Sequence, residues 1–153
     1  MTEASIQDVY TVDEGSEEPS TVLVLKAHGE DGYLPIYVSV APGQNIAVRL
    51  RGVNKDRPQT YGLMAELIEK LGGKVESVHI VDSRESVFYS LLWVSINGVT
   101  HEIDCRPSDA LALAVQVNAP IFVAPDLLCH VATPEAAMLM REKVKSIKPF
   151  ELN

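Results

Sequence analysis

Cysteine, long apolar runs and clustered cations are what this sequence has least of. Its 153 residues include two cysteines, Cys105 and Cys129, too few for a disulfide scaffold and without the CxxC spacing of a zinc site. No apolar stretch approaches the ~18 residues that a membrane span needs, and the N-terminus has no basic-then-apolar leader. The expectation is a soluble, cytoplasmic protein with no membrane partner. A P-loop, a GxGxxG turn and a GxSxG elbow are all missing. The four histidines, His28, His79, His101 and His130, share no metal-binding spacing. No long basic run exists either, so any grip on nucleic acid must come from a local patch.

What is present is an ordinary globular composition with an uneven charge. The formal net charge is −8. Residues 1–18 hold Glu3, Asp8, Asp13, Glu14, Glu17 and Glu18 and no cation, which leaves 15 acidic against 13 basic residues elsewhere. An acidic, flexible arm over residues 1–20 is the expectation, followed by a globular body over 21–130 and a C-terminal helix and tail over 131–153.

From Thr21 the pattern becomes regular. Thr21–Ala27 and Tyr33–Val40 read as two strands of a hairpin across a glycine turn. A short helix around Ile46 ends at Gly52. Thr60 then caps a helix expected to turn Leu63, Met64, Leu67, Ile68 and Leu71 inward. Arg49, Arg51, Lys55 and Arg57, between these helices, form the densest basic stretch.

Lys74–Val81 and Ser86–Ile96 read as strands, and Asn97-Gly98 is a strong two-residue hairpin signal. That turn pairs Leu92 with Ile103 and Val94 with His101 on a largely apolar face, with His101 at the edge of the core. Trp93 then meets Glu102, and Leu91 meets Asp104, on the other face. Pro107 suits a first helical position, Asn118 a C-cap, and Pro120–Ala124 a short buried strand. A last helix runs from Thr133-Pro134-Glu135 through Lys145. The order ββααβββαβα describes one compact α+β domain, a mostly antiparallel, mixed sheet with helices packed on it.

Chemistry concentrates where a strand meets a helix, at Asp104-Cys105-Arg106-Pro107-Ser108-Asp109. A helix start exposes backbone N–H groups, and Arg106 can grip a phosphate with two parallel bonds. Asp104 and Asp109 would repel a phosphate unless a divalent metal, Mg²⁺ or Mn²⁺, lay between them, where they become its ligands. Such a site is suited to phosphodiester hydrolysis. A structural reading is equally open: Asp109 stabilises the helix dipole, Asp104 pairs with Arg106, and Ser108 caps.

The segments Leu34-Pro35-Ile36-Tyr37-Val38, Arg57-Pro58-Gln59-Thr60 and Val87-Phe88-Tyr89 carry a resemblance. So, above all, do Arg106-Pro107-Ser108-Asp109-Ala110-Leu111-Ala112-Leu113-Ala114 and Ala119-Pro120-Ile121-Phe122-Val123. Over about Leu34 to Leu128 the chain resembles the bifunctional nuclease (BFN) domain family. The resemblance implies a compact α+β domain, a homo-oligomer, and DNase and RNase activity on a nucleic-acid substrate. Catalytic roles then fall to Asp104, Asp109 and Arg106, phosphate binding to Arg106, Ser108 and Arg57, and metal binding to Asp104 and Asp109. The alternative is a non-catalytic module that binds nucleic acid or another anion, or a purely structural homo-oligomer. One departure stands out: after Arg-Pro the family pattern usually reads Thr-His-Asp-Leu, whereas this chain reads Thr60-Tyr61-Gly62-Leu63.

Overall fold

The computed structural model describes residues 1–53, 57–141 and 144–152. Lys55 of the basic stretch and part of the expected path to Lys145 lie outside the described residues. Eight strands form one mixed sheet: β1 (Thr2–Asp13), β2 (Ser20–Ala27), β3 (Tyr33–Val38), β4 (Gly73–Arg84), β5 (Val87–Ile96), β6 (Val99–Cys105), β7 (Ile121–Val123) and β8 (Ser146–Pro149). Among the described residues, four α-helices accompany them: α1 (Val40–Leu50), α2 (Thr60–Lys70), α3 (Pro107–Val117) and α4 (Pro134–Arg141). The expected order of elements is found, with one strand added at each end.

Those added strands correct the reading of the N-terminus. The acidic segment is not a flexible arm: β1 pairs antiparallel with β2 along its length, and with β7 and β8 on its other side. Ala4, Ile6, Val9 and Val12 are buried while the carboxylates stay at the surface. A bulge between Ile6 and Asp8 breaks the period-two alternation, which hides the strand from pattern reading. Arg51 fastens the segment, donating to Asp8 Oδ1 at 3.0 Å and to the carbonyl oxygens of Val9 and Phe150.

The sheet order is β3-β2-β1-β7-β4-β5-β6, with β8 beside β1. Three-residue β7 is the joint between two antiparallel halves, running antiparallel to β1 and parallel to β4. The parallel pair requires a crossover after β4, and α3 supplies it. Helix α3 begins at Pro107, ends at Asn118 in the left-handed conformation, and buries Ala110 through Ala114. Helix α1 reaches the same face because Gly43 has no side chain: a Cβ there would stand 2.7 Å from Thr21 Cγ2. The main core thus lies between this face and α1 and α3, while α4 closes a second cluster with Val12, Val22, Val24 and Tyr33.

The Asn97-Gly98 turn forms with φ of 52° and 78°, and it sets the expected register of Leu92 with Ile103, Trp93 with Glu102 and Leu91 with Asp104. Three local expectations change. Thr60 is the first residue of α2 rather than its cap, which is Gln59. His101 is exposed rather than at the core edge. Helix α2 turns Tyr61, Ala65 and Ile68 inward and leaves Leu63 (53%), Leu67 (52%) and Leu71 (79%) in solvent. The face it buries is fixed by its neighbour α3, not by the richest apolar stripe.

Deleting residues 2–13 should therefore abolish cooperative folding. Ile6, Val9 and Val12 alone bury side chains worth about 1.5–3 kcal/mol each, comparable with the whole stability of a domain, about 5–15 kcal/mol. A thermal melt followed by circular dichroism checks this. An unchanged melting temperature would mean that β1 is dispensable.

Candidate functional site

The site forms where α3 leaves the sheet. Strand β6 delivers the chain to Arg106, whose extended backbone (φ −67°, ψ 140°) is the N-cap of α3. Pro107 follows at the first helical position, where a missing N–H costs nothing. Three residues after Arg106, the first helical turn brings Asp109 back beneath its guanidinium. Arg106 Nε donates to Asp109 Oδ2 at 2.8 Å.

The second oxygen of the same carboxylate is also engaged. Tyr61 Oη, from the first turn of α2, donates to Asp109 Oδ1 at 2.7 Å. Tyr61 is 8% exposed, and 48 residues separate it from its partner in sequence. This contact was not legible beforehand; the only pointer was that Tyr61 stands at the histidine position of the family pattern. The three residues help line a groove of about 660 Å³. Its walls are apolar: Met64 and Ile68 of α2, Leu92 and Val94 of β5, Ile103 of β6 and Leu113 of α3.

Electrostatics follow from this packing. Burial, then the hydrogen bond to Asp109 and its negative charge, push the Tyr61 phenol up to about 12, against a smaller opposing effect of Arg106. Burial alone would raise Asp109. The hydrogen bonds from Arg106 and Tyr61, with the charge of Arg106, outweigh it and hold the carboxyl below its ordinary value. Next to them, burial pushes the Cys105 thiol up, opposed by a hydrogen bond with Ser90, so Cys105 is not an activated nucleophile.

Of the remaining predicted residues, Asp104 and Arg57 are not gathered here, and Ser108 meets only Arg106. Asp104 pairs with Leu91, on the sheet face opposite the one that Leu92 and Ile103 present to the groove. That face carries Trp93, with His79 stacked on it at 4.9 Å. Ser108 lines a smaller recess with Tyr37, Phe88 and Arg106, so Arg106 borders both this recess and the groove. Arg57 lines another, with Asn45 and Gln116. The residues present therefore do not fit a resident Mg²⁺ or Mn²⁺. Asp104 and Asp109 point to different faces, Asp109 already has a cation against it, and no group of three His, Cys, Asp or Glu side chains with metal-binding geometry occurs among the described residues. What the cluster offers instead is a carboxylate that orients a guanidinium and a protonated phenol at the mouth of an apolar groove.

Together, the fold and this cluster define an α+β domain in which Tyr61, Asp109 and Arg106 meet beside an apolar groove. The sequence matches the Bifunctional nuclease domain over residues 23–136, and the chain belongs to that family. An uncharacterised protein of Mycobacterium tuberculosis is 34% identical over 144 residues, covering 88% of this chain and 86% of that protein. Bifunctional nuclease 1 of Oryza sativa subsp. japonica is 33% identical over 109 residues, covering 69% of this chain but 33% of the rice protein. Bifunctional nuclease 2 of Arabidopsis thaliana is 29% identical over 109 residues, with 69% and 33% covered. No helix among the described residues is long and apolar enough to cross a membrane.

Replacing Tyr61 with Phe should cost about 1–3 kcal/mol at neutral pH, because it removes a hydrogen bond to a charged group. The sign of the pH dependence is fixed. A phenol whose folded pKa is raised contributes stability below its unfolded value of 10.0, and this is lost as pH rises toward about 12. Urea titrations of the wild type and Tyr61→Phe should therefore converge between pH 10 and 12. A gap that stays constant over that range would contradict the hydrogen bond.

Proposed function

We propose that this chain hydrolyses phosphodiester linkages in DNA, RNA or both, with Arg106 as the phosphate clamp. The observation that carries this reading is the shared carboxylate. Asp109 takes only the Nε of Arg106, and the Arg106 side chain is 74% exposed, so both terminal nitrogens remain available for two parallel bonds to phosphate oxygens. Tyr61 keeps its proton at neutral pH, so it does not act as a base there; its hydroxyl donates to Asp109 and orients the carboxylate that holds Arg106. The relatives named bifunctional nucleases support the same reaction class.

A second reading is a module that binds nucleic acid without cutting it. It is favoured by the engagement of both Asp109 oxygens, which lowers that group's power as a general base. The proposal also includes assembly with further copies of the chain, supported by the solvent-facing stripe of Leu63, Leu67 and Leu71.

The test is incubation of purified protein with plasmid DNA and total RNA in Mg²⁺ or Mn²⁺, with and without EDTA. Cleavage should fall about 10²-fold in Asp109→Asn, the scale on which removing one positioned group acts. In Arg106→Lys substrate binding should weaken about tenfold, because lysine keeps the charge and loses the fork. Wild-type cleavage by Asp109→Asn would contradict the proposal. Retarded but intact nucleic acid would establish the binding module in its place.

A further inference from the structure

The basic residues from the last turn of α1 to the start of α2 do not share one role. Arg51 is committed to the fold through Asp8, Val9 and Phe150. Arg49 and Arg57 are exposed, and neither has a carboxylate partner among the described residues. Both line a recess of about 320 Å³ that is separate from the groove, together with Asn45, Gln59, Gly62 and Gln116. Among the described residues, no acidic side chain contributes to its lining. Two guanidiniums without a carboxylate partner among the described residues thus line one concavity in a chain of net charge −8.

The walls of the recess are fixed by a chain of amides. Gln116 Nε2 donates to Asn45 Oδ1 at 3.1 Å, and Asn45 Nδ2 donates to Gln59 Oε1 at 3.1 Å. Arg49 Nη2 is anchored at 3.3 Å on the Gln116 carbonyl oxygen, and its other nitrogens remain available. The interior is open because position 62 has no side chain. A Cβ there would stand 3.4 Å from Pro58 Cβ and 3.6 Å from Gln116 Oε1. The first turn of α2 also carries no acidic residue, so the partial positive charge of its N-terminus is not cancelled.

We propose that this recess binds a phosphate group, held between the Arg49 and Arg57 guanidiniums. The phosphate oxygens are the same whether they belong to a nucleic-acid backbone or to a free phosphate. The backbone source rests on the nuclease reading, in which the recess would hold a phosphate apart from the one at Arg106. The phosphate chemistry itself does not depend on that reading.

Two probes, both in EDTA, separate the sources. A labelled single-stranded DNA or RNA of about ten nucleotides is followed by fluorescence anisotropy, and inorganic phosphate by NMR shifts of the Arg and Gln side chains. Arg57→Gln and Gly62→Asp should each lower affinity at least tenfold. The aspartate places a carboxylate in the recess at a helical position with ordinary contacts, so the melting temperature should hold. For the oligonucleotide, Arg57→Gln should also make the salt dependence shallower by about 0.7 per lost phosphate contact. Tighter binding of the oligonucleotide than of phosphate assigns the recess to a backbone, and equal binding assigns it to a free phosphate; both uphold it. Failure of the wild type to bind either probe, or unchanged affinity in both variants, would overturn it. Asp109→Asn should keep this phosphate affinity while losing cleavage, so failure here and failure of the nuclease reading give different results.

Discussion

The structure depends on the path of the chain from β6 through α3 into β7. Strand β7 has three residues, yet it joins the two halves of the sheet by pairing with both β1 and β4. It can do so only if α3 crosses the sheet face and returns the chain parallel to β4. That requirement explains the run of small and apolar residues from Ala110 to Ala114, all buried. It also fixes where α3 begins, and with it the position of Asp109. The site is a by-product of the crossover geometry, placed by a helix that buries Ala110 through Ala114.

Around that fixed carboxylate the neighbouring elements need little precision of their own. Helix α2 meets the core through Tyr61, Ala65 and Ile68, and the phenol of the first of these reaches Asp109. Because α2 leans on α3 by so narrow a face, its leucines stay in solvent and a groove opens between α2 and strands β5 and β6. The charged corner and the apolar groove have one cause. A broader contact for α2 would bury the leucines and close the space that Tyr61, Arg106 and Asp109 border.

Much of this was legible in the sequence where the signal is local. The Asn97-Gly98 turn dictated its register, and Pro107 and Asn118 marked the ends of α3, since each acts through backbone conformations within a few residues. The structural reading of the sequence pairs Arg106 with Asp104; the structure gives Asp109 instead, three residues on, because the helix starts at once after Arg106. What could not be read was set at a distance. Strand β1 hides behind its carboxylates and its bulge, and its partners come from both ends of the chain. The inward face of α2 depends on where α3 lies. Asp104 was already assigned to the face of Trp93 by the turn register; which face the helices would cover was the missing information, and it separates Asp104 from Asp109.

The central claim is that one carboxylate, Asp109, is held by a guanidinium and a phenol at once. Its side-chain pKa, followed by carbon-detected NMR during an acid titration, tests this most directly. The account predicts a value below the ordinary 3.8 of an aspartate that rises in Tyr61→Phe and rises again when Arg106 is also replaced by Gln. An Asp109 that titrates at or above the ordinary value, or that ignores both substitutions, would contradict it.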